Sequence, residues 1–232
     1  MKPIKILFIN SSPNINGNTA TLMHWVEEGV IQSAASSEWI DLKGKDIHYC
    51  LGCNHCLKTG KCIQNDYIQV LKKKIDESDG VVIGSPVYEG HPTAQMKTVM
   101  DRFALFCLYM GIFDDKWSVG VSTSGIAPTA KTAKDCSEIF GKRSGIITSK
   151  TVKMKTGYFD LEKESCLKLY SKAHKTGEKL VSDILSNPMF SPGLLKSKWI
   201  AFLRKNFLKK LILKNPDIFA GVIEEWKAKN WL

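Results

Sequence analysis

The sequence predicts an α/β fold, a doubly wound five-stranded parallel sheet followed by a C-terminal helical extension. The first observation is the type of strand: residues 4–9 (IKILFI) and 80–84 (GVVIG) are continuous apolar runs, typical of strands that are buried on both faces. The second is order, because strands alternate five times with segments of helical periodicity, which indicates right-handed crossovers. The third is composition: 44% hydrophobic and 24% charged residues in 232 exclude a disordered or collagen-like chain.

The predicted elements fill the first 186 residues in regular alternation. The strands are predicted at 4–9, 38–42, 80–84, 117–122 and about 145–152, and the helices at 18–33, 66–77, 93–109, about 129–140 and about 162–186. Residues 187–193 contain two prolines and a glycine, which favours a boundary there. We therefore predict a first domain over 1–187 and a basic, apolar helical extension over 193–232.

Positive charge is concentrated in this extension. The net charge is +10, and residues 193–232 hold nine Lys or Arg against three Asp or Glu, a net of +6. Because a surface that tracks phosphates needs a broad basic field, the main domain is not expected to bind nucleic acid. The chain has no run of 18 apolar residues, and its N-terminal apolar stretch is too short for a signal peptide, so we expect a cytoplasmic protein.

The loop after the first strand, residues 11–19 (SSPNINGNT), has the character of a phosphate site. Backbone N–H groups at a helix start, with the hydroxyls of Ser12 and Thr19, can hold a phosphate without a cation. The string is neither a dinucleotide fingerprint nor a Walker loop. The alternative is an ordinary turn in which Asn18 caps the helix.

Two further loops are expected at the same edge of the sheet. Residues 85–90 (SPVYEG) follow the third strand, and Thr123, Ser124 and Gly125 follow the fourth. In strand order 2-1-3-4-5, the first and third strands flank the switch point at which ligands bind. The three loops are therefore predicted to surround one crevice.

These loops also carry a family resemblance. Residues 11–19 resemble the GSPRxxGNT loop of the flavodoxin-like NAD(P)H-dependent FMN reductase superfamily, and residues 84–102 (GSPVYEGHPTAQMKTVMDR) resemble its second signature. The resemblance covers about residues 4–185 and implies FMN as cofactor and NAD(P)H as a possible donor. It implies phosphate contacts near Ser12, Asn18 and Thr19, and contacts to the ring edge from Pro86, Val87, Tyr88 and Gly90. Asn14, another candidate cofactor-binding residue, stands where the family usually has Arg.

Four cysteines lie within 13 residues: Cys50, Cys53, Cys56 and Cys62. The total of seven argues against a disulfide framework, and repeated Cys-x-x-Cys steps let one loop hold an iron–sulfur cluster. A structural zinc site, which usually has two more distant pairs, and a loop without metal are the alternatives. The other three, Cys107, Cys136 and Cys166, are predicted to be packing residues.

The spacing of the four cysteines is similar to that of the iron–sulfur flavoproteins in the same superfamily. That resemblance implies a [4Fe–4S] cluster, a possible ferredoxin donor, and a homodimer or homotetramer. Three functions remain open: an FMN oxidoreductase with an iron–sulfur relay to a small acceptor such as a quinone or oxygen, an NAD(P)H-dependent FMN or quinone reductase without metal, and a non-catalytic flavin electron carrier. No catalytic side chain is predicted, and His91 is interpreted as a cap of the helix at 92.

Residues 194–214 are predicted to form one helix that ends at Asn215-Pro216. Apolar residues cover more than half of its circumference, and lysines both form a strip and interrupt the apolar side. We expect it to pack against its own or a partner subunit, roofing the flavin crevice with Trp226 or Trp231 nearby. A peripheral contact with an anionic membrane and an unidentified partner are the alternatives.

Overall fold

A computed structural model describes residues 3–150, 164–189 and 194–232, and for residues 194–197 it describes the backbone alone. It contains a five-stranded, all-parallel sheet in the order β2-β1-β3-β4-β5, which confirms the predicted fold class. The strands are β1 (Lys5–Asn10), β2 (Ser36–Asp41), β3 (Gly80–Pro86), β4 (Trp117–Ser124) and β5 (Lys142–Lys150). The predicted strand end at 151–152 and helix start at 162–163 lie outside the described residues.

The helices of the described residues include all of those predicted from the sequence, together with two that were not predicted. They are α1 (Asn18–Gln32), α2 (His55–Thr59), α3 (Tyr67–Asp76), α4 (Ala94–Leu105), α5 (Ala130–Ser137), α6 (Glu164–Ser186), α7 (Leu194–Leu203), α8 (Lys209–Lys214) and α9 (Ala220–Ala228). A π-helical turn over Phe106–Met110 extends α4, and another over Arg204–Leu208 joins α7 to α8. Neither α2, inside the cysteine segment interpreted as a loop, nor α9 was predicted.

The sheet separates two apolar layers, because successive side chains of a strand point to opposite faces. Ile6 and Phe8 of β1 pack with the residues of α1 and α6, whereas Leu7 and Ile9 pack with those of α3 and α4. Helices α1 and α6 approach closely at Gly177, where an added Cβ would lie 2.0 Å from the carbonyl oxygen of Val26. Any larger residue there would force the two helices apart.

The C-terminal extension joins the layer formed by α3 and α4. Its buried side chains are Ile212, Phe219, Val222 and Trp226, and the indole Nε1 of Trp226 donates to the carbonyl oxygen of Tyr109 at 2.7 Å. In the π-helical turn, buried Arg204 pairs with Asp114 and donates to the Leu108 carbonyl oxygen at 2.6 Å. The expected packing of the extension on its own subunit is therefore present.

The expectation that Trp226 or Trp231 roofs the subunit's flavin crevice is wrong. Trp226 contacts the C-terminal end of the α4 segment, and Trp231 packs on Trp226 and over Arg204. The loop after β3 leads into the opposite end of α4, about 20 Å away along the helix. No helix in the described ranges is both long and apolar enough to cross a membrane.

Trp226→Ala is expected to lower the free energy of unfolding by about 3–5 kcal/mol, because it empties a large buried site and leaves a buried carbonyl without its donor. Trp231→Ala is the matched control, since Trp231 is more than one-third exposed. It is expected to lower the free energy of unfolding by about 1 kcal/mol. Chemical denaturation of the full chain measures both. Equal losses would contradict the assignment of Trp226 as the anchor of the extension.

Candidate functional site

Three loops meet at the carboxyl edge of the sheet and are joined by hydrogen bonds. The Ser11 amide donates to the Gly84 carbonyl oxygen at 2.8 Å, and the Val87 amide donates to the Thr123 carbonyl oxygen at 2.9 Å. The hydroxyl oxygens of Thr19 and Thr123 lie 2.6 Å apart. The structure thus brings together the loops after β1, β3 and β4, as the strand order predicts.

The first loop ends at the start of α1, a helix of 15 residues with Gly17 as its N-cap. Asn18 is therefore the first helical residue, and the alternative that it caps the helix is wrong. Ser12 and Thr19 are buried, and Thr19 lies in the first turn of α1, whose backbone N–H groups have no acceptor within the helix itself. Asn14 is exposed, and its side-chain Oδ1 accepts from the Asn16 amide at 3.2 Å, so it shapes the turn.

The second loop turns back sharply at Glu89 and Gly90. Tyr88 and His91 pair through two backbone hydrogen bonds of 2.9 Å, and both turn residues have positive φ, +49° and +77°, as in a type I′ turn. A Cβ added at Gly90 would meet no atom within 4 Å, so the space beside it is open. Tyr88 is exposed next to that space.

Thr93, and not His91, caps α4. Its hydroxyl accepts from the Met96 amide at 3.4 Å and donates to the Ser11 carbonyl oxygen at 3.0 Å. The cap therefore also ties the helix to the first loop. The interpretation of His91 as the helix cap is wrong, because the helix begins at Ala94 and Thr93 therefore occupies the cap position.

The donors and shapes of these loops fit FMN. The phosphate of FMN requires several N–H and hydroxyl donors, which the start of α1, Ser12 and Thr19 offer. The flavin ring requires a flat, largely apolar surface, and the loop after β3 offers the exposed Tyr88 ring and open space beside Gly90. Buried Val87 joins this loop to the loop containing Thr123, Ser124 and Gly125, and Pro86 beside it is half-buried.

The cysteine segment follows β2 and contains the short helix α2. Left-handed backbone at Gly52, Asn54 and Gly60, with φ of +64°, +56° and +72°, lets it turn tightly. The four cysteines border one cavity of about 30 Å³ next to the C-terminal end of α4. They are Cys50 and Cys53, which are exposed, and Cys56 and Cys62, which are half-buried.

Arg102 of α4 fixes this segment in place. Its side chain is 1% exposed, and its guanidinium binds both carboxylate oxygens of Asp66, at 2.5 and 3.0 Å. It also donates to the His48 carbonyl oxygen at 2.7 Å and to Cys62 Sγ at 3.3 Å. Sequence reasoning placed Arg102 in a family signature but assigned it no role, because its partners lie 36 to 54 residues away.

The helix α9 packs against the other side of the cysteine segment. An added Cβ at Gly221 would lie 2.1 Å from the Gly60 backbone nitrogen, so the two backbones are in direct contact. Leu57 of α2 lies in the same apolar cluster as Val222 and Trp226. The C-terminal extension therefore supports the cysteine segment, a contact that the sequence did not reveal.

Burial affects one thiol of the cysteine segment and the packing cysteines alike. Burial raises the pKa of the Cys56 thiol, and nearby Cys62 and Cys50 raise it further. Burial raises the pKa of Cys136 to about 12, so this thiol is protonated at neutral pH, and Cys166 is fully buried.

The four cysteines share a cavity but not a common ligand centre. In the parts of the chain that the structure describes, no three cysteine, histidine or acidic side chains converge closely enough to hold a metal ion. Thiols are nevertheless the ligands that iron–sulfur clusters require. The assignment of these four residues as cluster ligands stays a prediction.

The fold and the three-loop site agree with a family match over residues 4–159, to the model described as NADPH-dependent FMN reductase. The chain belongs to the NADPH-dependent FMN reductase family. Members of this family are FMN-dependent oxidoreductases. The match covers β1 to β5 and hence all three loops of the candidate site, but not the C-terminal extension.

Two curated relatives of this family member are called iron-sulfur flavoproteins. One, from Methanocaldococcus jannaschii, is 38% identical over 99 residues, 43% of this chain and 51% of the relative. The other, from Clostridioides difficile, is 26% identical over 227 residues, 97% of this chain and 98% of the relative. The chain thus matches about half the length of the archaeal relative and nearly all of the clostridial one.

Solved structures share the fold of this family member. A flavone reductase superposes with a TM-score of 0.58 at 17% identity, covering 79% of this chain and 64% of that one. An NADH:FMN oxidoreductase superposes with a TM-score of 0.54 at 15% identity, and the match covers 77% of this chain and 89% of that one.

Asp66→Asn is expected to destabilise the protein by about 3 kcal/mol at pH 7, because it leaves the Arg102 charge buried without its counter-ion. Burial opposes ionisation of Asp66, but hydrogen bonds from Arg102 and from the His48 and Ile68 amides outweigh it and lower the pKa. The stabilisation is therefore complete above about pH 4 and lost as the pH falls through the lowered pKa.

Urea unfolding of both proteins without metal, between pH 7 and pH 2.5, measures this difference. Asp101→Asn, a change on the exposed side of α4, is the control and should cost about 0.5 kcal/mol or less. A difference between wild type and Asp66→Asn that grows toward low pH would contradict the assigned direction.

Proposed function

We propose that the protein is an FMN-dependent oxidoreductase in which Cys50, Cys53, Cys56 and Cys62 hold a [4Fe–4S] cluster. The observation that carries the flavin part is the three-loop site, with its helix start, its buried hydroxyls and its open space at Gly90. The family to which the chain belongs supports FMN as the cofactor. The names of the relatives, including the full-length clostridial one, support the iron–sulfur part.

Each part of the site has a separate task in this proposal. The start of α1, Ser12, Asn18 and Thr19 bind the phosphate, while Asn14 keeps the turn in shape. Pro86, Val87, Tyr88 and Gly90 position the ring edge, and the loop at 123–125 forms the third wall. When bound, FMN supplies one- and two-electron chemistry and the cluster supplies single electrons, so no acid or base side chain is required of the protein.

The cysteine assignment rests on three features of the chain. The spacing is compact, all four residues border one cavity, and the Arg102 guanidinium lies 3.3 Å from Cys62 Sγ, where its positive charge would balance a thiolate-rich centre. A ferredoxin is the proposed donor to the cluster, and a quinone or oxygen the proposed acceptor. We further propose a homodimer or homotetramer.

The second candidate is an NAD(P)H-dependent FMN or quinone reductase whose cysteines bind no metal. Among the described residues the four cysteines do not converge on a common ligand centre, which supports this candidate over either metal site, and the family name provides the donor. Steady-state NAD(P)H oxidation with a quinone separates both enzymes from a non-catalytic flavin carrier.

Heating the purified protein is expected to release FMN and not FAD. Thr19→Val is expected to weaken FMN binding about tenfold. The substitution removes one buried hydroxyl worth about 1.4 kcal/mol while keeping the shape that fits against Gly84. Asn14→Ala is the control, because its exposed side chain bonds only within its own turn, and it should weaken binding less than threefold. Fluorescence titration of apoprotein gives both dissociation constants. FAD in the extract, or equal effects of the two variants, would refute the assignment.

Serine at Cys50, Cys53, Cys56 or Cys62 is expected to abolish bound iron and sulfide in anaerobically purified protein while leaving FMN at one per chain. Each substitution removes one thiolate ligand but touches none of the three flavin loops. Cys136→Ala, at a buried packing position, is the matched control and should retain iron. Full iron in the four serine variants would exclude a cluster held by these cysteines. Zinc instead of iron in the wild-type protein would favour a structural zinc site.

A further inference from the structure

We propose that the outward side of the α7–α8 segment docks the protein on the surface of an anionic phospholipid bilayer. The proposal is independent of the flavin and of the cysteines. It rests on what this helical segment exposes, on its charge, and on the way it is fixed to the rest of the protein.

The segment exposes large apolar side chains that the protein's own core does not use. Trp199, Phe202 and Phe207 are 60%, 54% and 62% exposed, and Leu211 and Leu213 are nearly half exposed. The rings of Phe202 and Phe207 touch edge to face, with centroids 6.1 Å apart, so the aromatic patch is continuous across the π-helical turn. Continuous exposed apolar patches mark docking surfaces.

The opposite side of the same segment is held by the domain, which fixes the direction of the patch. Arg204 is buried against Asp114 and the end of the α4 segment, and Ile212 lies in the apolar core. The segment cannot rotate its aromatic side inward without breaking the ion pair between Arg204 and Asp114. The patch therefore stays on the surface of the subunit.

The positive charge around the patch favours an anionic surface as its binding partner. Residues 194–214 contain six lysines and one arginine but no acidic residue, and Lys198, Lys205, Lys210 and Lys214 are exposed among the apolar side chains. A second copy related by twofold symmetry would bring two copies of this lysine-bearing patch together, and residues 194–214 offer no acidic side chain to pair with them. Lipid phosphates supply the opposite charge over a broad plane.

The mixture of lysine with aromatic side chains suits a bilayer interface. The sequence alone disfavoured a membrane, because lysines interrupt the apolar side of the helix. The long stem of lysine, however, lets its ammonium group reach the headgroup layer while neighbouring Trp and Phe rings enter the interface. With the segment lying in the membrane plane, the flavin loops at the far end of α4 stay accessible.

Co-sedimentation of the full-length protein with vesicles tests the proposal. We expect about tenfold tighter binding to phosphatidylcholine vesicles with about 30% phosphatidylglycerol than to pure phosphatidylcholine, and a loss of at least about fivefold in high salt. The triple variant Trp199→Ala, Phe202→Ala, Phe207→Ala and the quadruple variant with Gln at Lys198, Lys205, Lys210 and Lys214 should each lose about tenfold.

Two controls carry changes elsewhere on the exposed surface, one apolar and one of four lysines. Leu185→Ala removes an exposed apolar side chain from α6, and Gln at Lys58, Lys73, Lys172 and Lys175 removes four exposed charges; both should bind as wild type does. Thermal unfolding confirms that all variants fold. Absence of binding in low salt, or equal losses in the controls, overturns the proposal. The proposal is also overturned if the wild-type protein does not bind vesicles but forms a dimer that only the triple variant dissociates. The patch would then be assigned to contact with a second copy.

Discussion

The cysteine segment depends on one buried ion pair, between Arg102 and Asp66. Both side chains are almost fully inaccessible to water, so each charge requires the other. Asp66 also caps α3 by accepting from the Ile68 amide, and Gln69 completes the capping box. One guanidinium therefore fixes the start of a helix, the His48 carbonyl and Cys62 at once.

Helix α4 carries this constraint from the flavin loops to the cysteines. Its N-terminal cap, Thr93, is bonded to Ser11 of the first loop, and Arg102 lies nine residues further along the same rigid element. The proposed flavin site and the proposed cluster site are thus attached to one helix. This helix fixes the separation of the two proposed sites within one subunit.

The sheet and the three loops could be predicted because their signals are local. Apolar runs such as 80–84 identify buried strands, and Gly, Pro and Ser after them identify turns, so that strand order follows from general rules. The partners of Arg102 could not be predicted, since Asp66 and His48 are distant in sequence. The short helix α2 was missed because five residues around left-handed Asn54 and Gly60 carry no periodic pattern. The cap of α4 was misplaced because His91 and Thr93 both precede the apolar repeat.

The C-terminal extension shows why periodicity alone did not settle its role. A helix that is apolar over most of its circumference must contact something on more than one side. Here one side is joined to the core through Arg204 and Ile212, and the following helix presses Gly221 against Gly60 of the cysteine segment. Those contacts use only part of the apolar surface, and the aromatic remainder faces outward among lysines. An extension in which α9 supports the cysteine segment and the proposed patch on α7–α8 meets an anionic surface accounts for both the excess of apolar residues and the excess of positive charge.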